Sequence, residues 1–243
     1  MSGLESCKKP QLNSIMSNLL KTSFTVLLCV TATISAKAQG VVYQSDYLFP
    51  NNTVYQIPVA SGVETGDQVN LGGTERVMTG FSFGYLASGL NSGATAQVSF
   101  YDATGVPADI SSGINKTTTT LLWQTAQLSV QDTTTGTMLN FYASDLNNGI
   151  NVPDNLIWTV TFNYSSGASV PPISLLAGHP SVGGGYDQYF TYDGTAWQPK
   201  DVAGVPSGGA HFVATITAVP EPSTFALLGL GGFASMVLIR RRK

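Results

Sequence analysis

The chain has 243 residues, a formal net charge of −3 and only 10% charged residues, enough length and apolar content to build a packed core. Charge is unevenly spread: residues 39–220 hold twelve acids against three bases (Arg76, Lys116 and Lys200), a net of −9, while most cations sit at the two ends. An acidic body lacks the electrostatic footprint for a phosphate backbone, which excludes nucleic acid as a partner. Both cysteines, Cys7 and Cys29, precede residue 39, so the remainder has neither a disulfide framework nor a thiolate metal site.

Residues 17–38 read as a secretory signal. Lys21 lies in the basic region, Phe24 to Ile34 is apolar, and Ala36-Lys37-Ala38 is a small-x-small cleavage site. The expected signal peptide is 1–38, handled by the Sec machinery and signal peptidase, with a mature start at Gln39. A start at Met16 gives a signal of more usual length. Val26-Leu27-Leu28-Cys29 falls short of a lipidation box: Leu28 is too bulky where a small residue is needed, and Cys29 lies inside the apolar stretch.

The body, residues 39–218, reads as strand nearly throughout. Thr53–Val59 alternates, and Glu75–Leu86 places Val77, Thr79, Phe81, Phe83 and Tyr85 on one parity. Ala94–Asp102, Leu121–Val130, Thr137–Ala143, Leu156–Tyr164, Ile173–Ala177, Tyr186–Tyr192 and His211–Ala218 follow. Turn clusters such as Asn91-Ser92-Gly93 and Gly183-Gly184-Gly185 separate them. Only Ala143–Asn147 suggests a helical turn. The expected fold is an all-β antiparallel sandwich, with a jelly roll as its version.

The last 25 residues, 219–243, change character. Pro220 and Pro222 fix their φ angles and present Glu221 on a stiff, extended backbone. Phe225–Ile239 carries no charge across 15 residues, a helix of roughly 22 Å. That is short for a bilayer core of about 30 Å, but snorkelling cations allow it to span. Arg240-Arg241-Arg242-Lys243 then stays in the cytoplasm by the positive-inside rule, placing the body outside.

Val219-Pro220-Glu221-Pro222, the apolar stretch and the terminal basic cluster together resemble the PEP-CTERM sorting signal of Gram-negative, exopolysaccharide-producing bacteria. The resemblance implies a single C-terminal transmembrane helix over 225–239, recognition of Pro220-Glu221-Pro222 by exosortase, and removal of the helix on the way to the surface. The body resembles the β-sandwich ectodomains found ahead of this signal. That likeness lies in Gly80-Phe81-Ser82-Phe83-Gly84-Tyr85, Val98-Ser99-Phe100-Tyr101-Asp102, Val152–Val160 and the Tyr186–Tyr192 segment. It implies the fold and leaves the activity open.

No catalytic constellation is visible. The body's two histidines are His179, before Pro180 in an expected loop, and His211, at the start of the last strand. Zinc-site spacings, a nucleophile elbow, a P-loop and a dinucleotide fingerprint are all missing from the sequence. Glu64 and Glu75 give no pairing for glycoside hydrolysis. The expectation is a chain that is not an enzyme and needs no cofactor. Structural calcium on Asp102, Asp109, Asp187 and Asp193 is the softer alternative, against turn-forming aspartates.

The aromatic group Tyr186, Tyr189, Phe190, Tyr192 and Trp197 is the most suggestive constellation, since Tyr and Trp faces stack on sugar rings. Alternation sends Phe190 and Tyr192 to one face and Tyr189 to the other. Trp123 and Trp158 are expected in the core. The expected protein is exported, anchored in the inner membrane with its body outside the cytoplasm, then released to the surface or matrix. Its expected role is structural or adhesive within exopolysaccharide and biofilm. Sugar binding through Tyr186, Tyr189, Tyr192 and Trp197 is the alternative, and an envelope hydrolase a second.

Overall fold

Short runs of Val, Ile, Thr and aromatic residues, cut by Gly, Asn and Asp, favour pleated strands with tight connections. The computed structural model describes residues 39–46, 55–90, 93–104, 106, 114–115, 119–133, 135–165, 172–185, 188–201 and 211–220. Among these, every regular element is a strand. In chain order they begin β1 (Gly40–Asp46), β2 (Tyr55–Pro58), β3 (Glu64–Asn70), β4 (Val77–Ala87), β5 (Thr95–Asp102) and β6 (Ile114–Asn115). Next come β7 (Thr120–Gln124), β8 (Leu128–Ser129), β9 (Thr137–Phe141), β10 (Ile150–Asn151), β11 (Asn155–Asn163) and β12 (Ile173–Val182). The last are β13 (Gly184–Gly185), β14 (Tyr189–Tyr192), β15 (Ala196–Lys200), β16 (His211–Phe212) and β17 (Ala214–Val219).

They form two antiparallel sheets. The first runs β10-β4-β17-β1-β12-β16, with β2 on β12, β9 on β4 and a further β4–β12 pairing. The second runs β6-β15-β14-β3-β11-β5-β7, with β13 on β3 and β8 on β5. Gln39–Glu221 is one compact unit. The expected signal peptide and the apolar 225–239 segment lie outside the described residues. No helix among the described residues is long and apolar enough to cross a membrane.

Aromatic rings from both sheets meet in the layer between them. Phe81 of β4 meets Phe100 of β5 edge-on at 4.9 Å and Trp158 of β11 at 5.2 Å. Phe83 lies 5.6 Å from Trp158, and Phe212 of β16 lies 5.7 Å from it. Offset and edge-to-face pairs of this kind add to the area they bury. Trp158 is fully buried as expected, while Trp123 is half-buried and stacks on Phe100 at 5.6 Å.

Several elements depart from the sequence reading. On β4, Phe81, Phe83 and Tyr85 face the core, but so does Met78, in place of Val77 and Thr79. The ladder to β17 pairs Gly80 with Thr217 and Met78 with Ala218, so Thr79 is an extra residue. A bulge of one residue reverses the alternation beyond it. Leu121–Val130 is broken into β7 and β8. His179 and Pro180 lie within β12 instead of a loop, with Pro180 opposite Ser45 beside a register shift in β1. A proline is tolerated where the ladder is irregular, because no N–H is demanded there.

At residues 143–148 the chain makes one helical turn. The Leu146 N–H donates to Tyr142 at 3.2 Å, and Asn147 and Asn148 reach φ values of 53° and 64°. Asparagine tolerates that left-handed conformation better than other side chains, and it ends the turn.

Candidate functional site

The sorting motif begins where an interior strand ends. β17 is paired on one edge with β1, from Gly40–Ala218 to Ser45–Ala214, and on the other with β4, from Val77–Val219 to Phe83–Ala214. Pro220 follows at once, and with no N–H to donate it cannot extend either ladder. Gly40, the second residue after the expected signal cleavage, lies opposite Ala218. The Gln39 amide Nε2 donates to Thr217 Oγ1 at 2.7 Å and to Thr79 Oγ1 at 2.9 Å. Both ends of the body thus leave from one end of one sheet, side by side. Val219 and Pro220 are half-buried. Glu221, Pro222 and the basic residues Arg240, Arg241, Arg242 and Lys243 lie outside the described residues.

The aromatic segment is built as a hairpin of β14 and β15, with Tyr192 opposite Trp197. Trp197 has no exposed surface. Its ring meets Tyr101 edge-on at 4.8 Å, within a cluster that also holds Ala103, Ile157 and Phe190. A ring sealed in this way has no face to offer a sugar, which corrects the expectation for Trp197. The cause is that β14 and β15 fold their side chains against the outer surface of β5 and β11, burying a face that alternation alone leaves open. Tyr192 is half-buried on the same cluster, with its hydroxyl donating to Gly194 O at 2.8 Å. Tyr189 turns to the opposite face and packs on Phe212 at 5.5 Å. Tyr186 lies outside the described residues.

The acids of the calcium alternative serve turns where they are described. Asp102 Oδ1 accepts from the Thr104 N–H at 2.7 Å. Asp193 accepts from the Thr195 and Ala196 N–H groups, each at 2.8 Å, and from Gln198 at 3.0 Å. These donors favour the ionised form and hold its carboxyl below the ordinary range. Asp109 and Asp187 lie outside the described residues. Among the described residues no group of three or more His, Cys, Asp or Glu side chains could hold a metal ion. Glu64 lies on β3, where its carboxylate accepts from Tyr101 at 2.8 Å and Thr159 at 2.7 Å.

Sequence reasoning missed the buried polar centre between the sheets. Asp67 on β3 and His211 on β16 are 0% and 2% exposed, and Asp67 Oδ2 faces His211 Nδ1 at 3.3 Å. The Phe212 N–H donates to the same oxygen at 3.3 Å. Burial raises the Asp67 carboxyl above its ordinary range, against the opposing pull of His211 and the Phe212 and Gln68 N–H groups. Tyr43 and Ser45 of β1 lie beside them. Burial first, then the Asp67 charge, pushes the Tyr43 phenol well above its ordinary value. Tyr43 and Ser45 are near neighbours there, but their hydroxyls do not meet in hydrogen-bonding geometry. Only the positions of the residues on two sheets bring this group together. Asp67 and Phe212 are 145 residues apart in the chain, and no local motif marks either.

Residues 218–243 match a family described as the PEP-CTERM protein-sorting motif. No curated protein matches the chain at a significant level. Among solved structures, the chain is similar to one of infectious bursal disease virus, Gt strain, at 12% identity. That match covers 84% of this chain and 50% of the viral one, with a TM-score of 0.25. At that score the likeness carries no argument.

Proposed function

We propose that this carrier of a PEP-CTERM protein-sorting motif is an exported surface protein. Residues 1–38 direct it through the Sec machinery, and signal peptidase frees Gln39. A transmembrane helix over 225–239 holds it in the inner membrane with the body outside. An exosortase then reads Pro220-Glu221-Pro222 and passes the body to the cell surface or extracellular matrix. There the body, a β-sandwich of jelly-roll type, serves a structural or adhesive role within exopolysaccharide and biofilm, with no catalysis and no cofactor.

The observation that carries this reading is the junction at Val219. The matched segment starts at residue 218, one residue before the interior strand β17 ends. Removing the chain beyond Pro222 leaves every backbone pair of β17 intact. Every long strand among the described residues is paired within its own sheet, so the body keeps its fold once the tail is gone.

Glu221→Gln tests it, because this change removes the charge of the motif and keeps its shape and both prolines. The variant should accumulate in the membrane fraction of an exosortase-bearing host while the wild-type chain reaches the surface. Equal surface delivery of both would sink the reading.

A further inference from the structure

The buried centre described above contains more polar atoms than it has bonds for. Tyr43 Oη, Ser45 Oγ, Asp67 Oδ1 and Trp158 Nε1 have no hydrogen-bond partner, and none of the four residues exceeds 2% exposure. Buried polar atoms are almost always satisfied in native proteins, by protein or by ordered water. Here the four belong to one neighbourhood. Trp158 is the register partner of Asp67 across β11 and β3. Tyr43 and Ser45 share the buried face of β1, and Tyr43 lies close enough to feel the Asp67 charge.

Glycines let the backbone pack closely against this neighbourhood. A Cβ at Gly178 would stand 2.8 Å from Ser45 Oγ, and one at Gly185 would stand 2.4 Å from His211 Nδ1. Real side chains essentially never approach that closely. Gly178 pairs with His211 itself across β12 and β16. A larger residue at either position would press on the polar group.

We propose that Tyr43, Ser45, Asp67 and Trp158 enclose a binding site for a water molecule inside the sandwich. The chemistry fits water better than an ion. The indole N–H only donates, the phenol and the serine hydroxyl donate or accept, and Asp67 Oδ1 accepts. A water accepts from two of the donors and donates to the carboxylate, which meets the two to four polar partners an internal water needs. A metal ion would face three N–H or O–H groups and a single carboxylate. The bound water ties β1 of one sheet to β3 and β11 of the other. It stands beside the Asp67–His211 contact, His211 lying in the strand just before β17.

Crystals of the full chain, at a resolution that shows ordered water, test this on the wild-type protein. Density should lie at about 2.7–3.2 Å from Asp67 Oδ1 and from at least two of Tyr43 Oη, Ser45 Oγ and Trp158 Nε1. A centre without that density, or a direct bond from Tyr43 Oη to Asp67 Oδ1, would overturn the proposal. Oxygen-17 relaxation dispersion counts long-lived internal waters in solution. The count should fall by one in Asp67→Leu, and an unchanged count in a folded variant would contradict the site.

Discussion

Asp67 lies in the middle of β3, a strand whose sequence, Glu64-Thr65-Gly66-Asp67-Gln68-Val69-Asn70, is polar at nearly every position yet buried at five consecutive ones. No alternation announces such a strand, which is why sequence reasoning passes over it. Gly66 shows how closely it is packed, since a Cβ there would stand 2.2 Å from the Trp158 carbonyl oxygen, a backbone atom that cannot turn aside. Burial has a measurable consequence at Asp67. Its folded carboxyl titrates above the ordinary value of 3.8, so the folded chain holds more protons than the unfolded one between the two values. The contribution to stability is fully present below about 3.8 and is lost as pH rises through the folded value. Denaturant midpoints taken across that interval should fall with rising pH in the wild type and much less in Asp67→Asn. Parallel curves would mean that Asp67 titrates as an ordinary carboxylate. Asp193 has the opposite sign: its lowered carboxyl gives a contribution present above 3.8 and lost as pH falls through its folded value.

Elements with a clear period were legible, and those shaped by packing were not. β5 and β11 lie within one residue of their expected limits, because Val98, Phe100, Trp158 and Val160 alternate cleanly. β4 was found, but its bulge at Thr79 was invisible, since the extra residue is defined only by the partner strand. The hairpin of β14 and β15 is the instructive case. Its Tyr and Trp content read first as packing, with a sugar-stacking surface as the alternative, and the burial of Trp197 decides for that residue. Trp197 lies under Tyr101 and anchors the hairpin, so Trp197→Ala should cost about 3–5 kcal/mol of stability, as large aromatic truncations in a core do. Chemical denaturation measures it. A loss under ~1 kcal/mol, typical of surface substitutions, would show Trp197 to be a surface residue.

At the scale of the molecule, the chain is an all-β body followed by a PEP-CTERM protein-sorting motif, and the residues of that motif were the most legible part of the sequence. Their features are contiguous: Pro220, Glu221 and Pro222 are adjacent, and the four terminal cations follow 15 uncharged residues directly. What the sequence could not disclose is the meeting of the two ends, because the Gln39–Thr217 contact joins residues separated by 178 positions. That meeting gives the sorting claim its physical sense, since both proposed processing points flank the same end of one sheet and neither cut would unpair a long strand among the described residues. Intact mass measurement of the protein from a host with exosortase and from its exosortase deletion strain tests the claim most directly. The account predicts a chain beginning near Gln39 and lacking Arg240–Lys243 in the first host, with that tail retained in the second. An intact basic tail in both would contradict it.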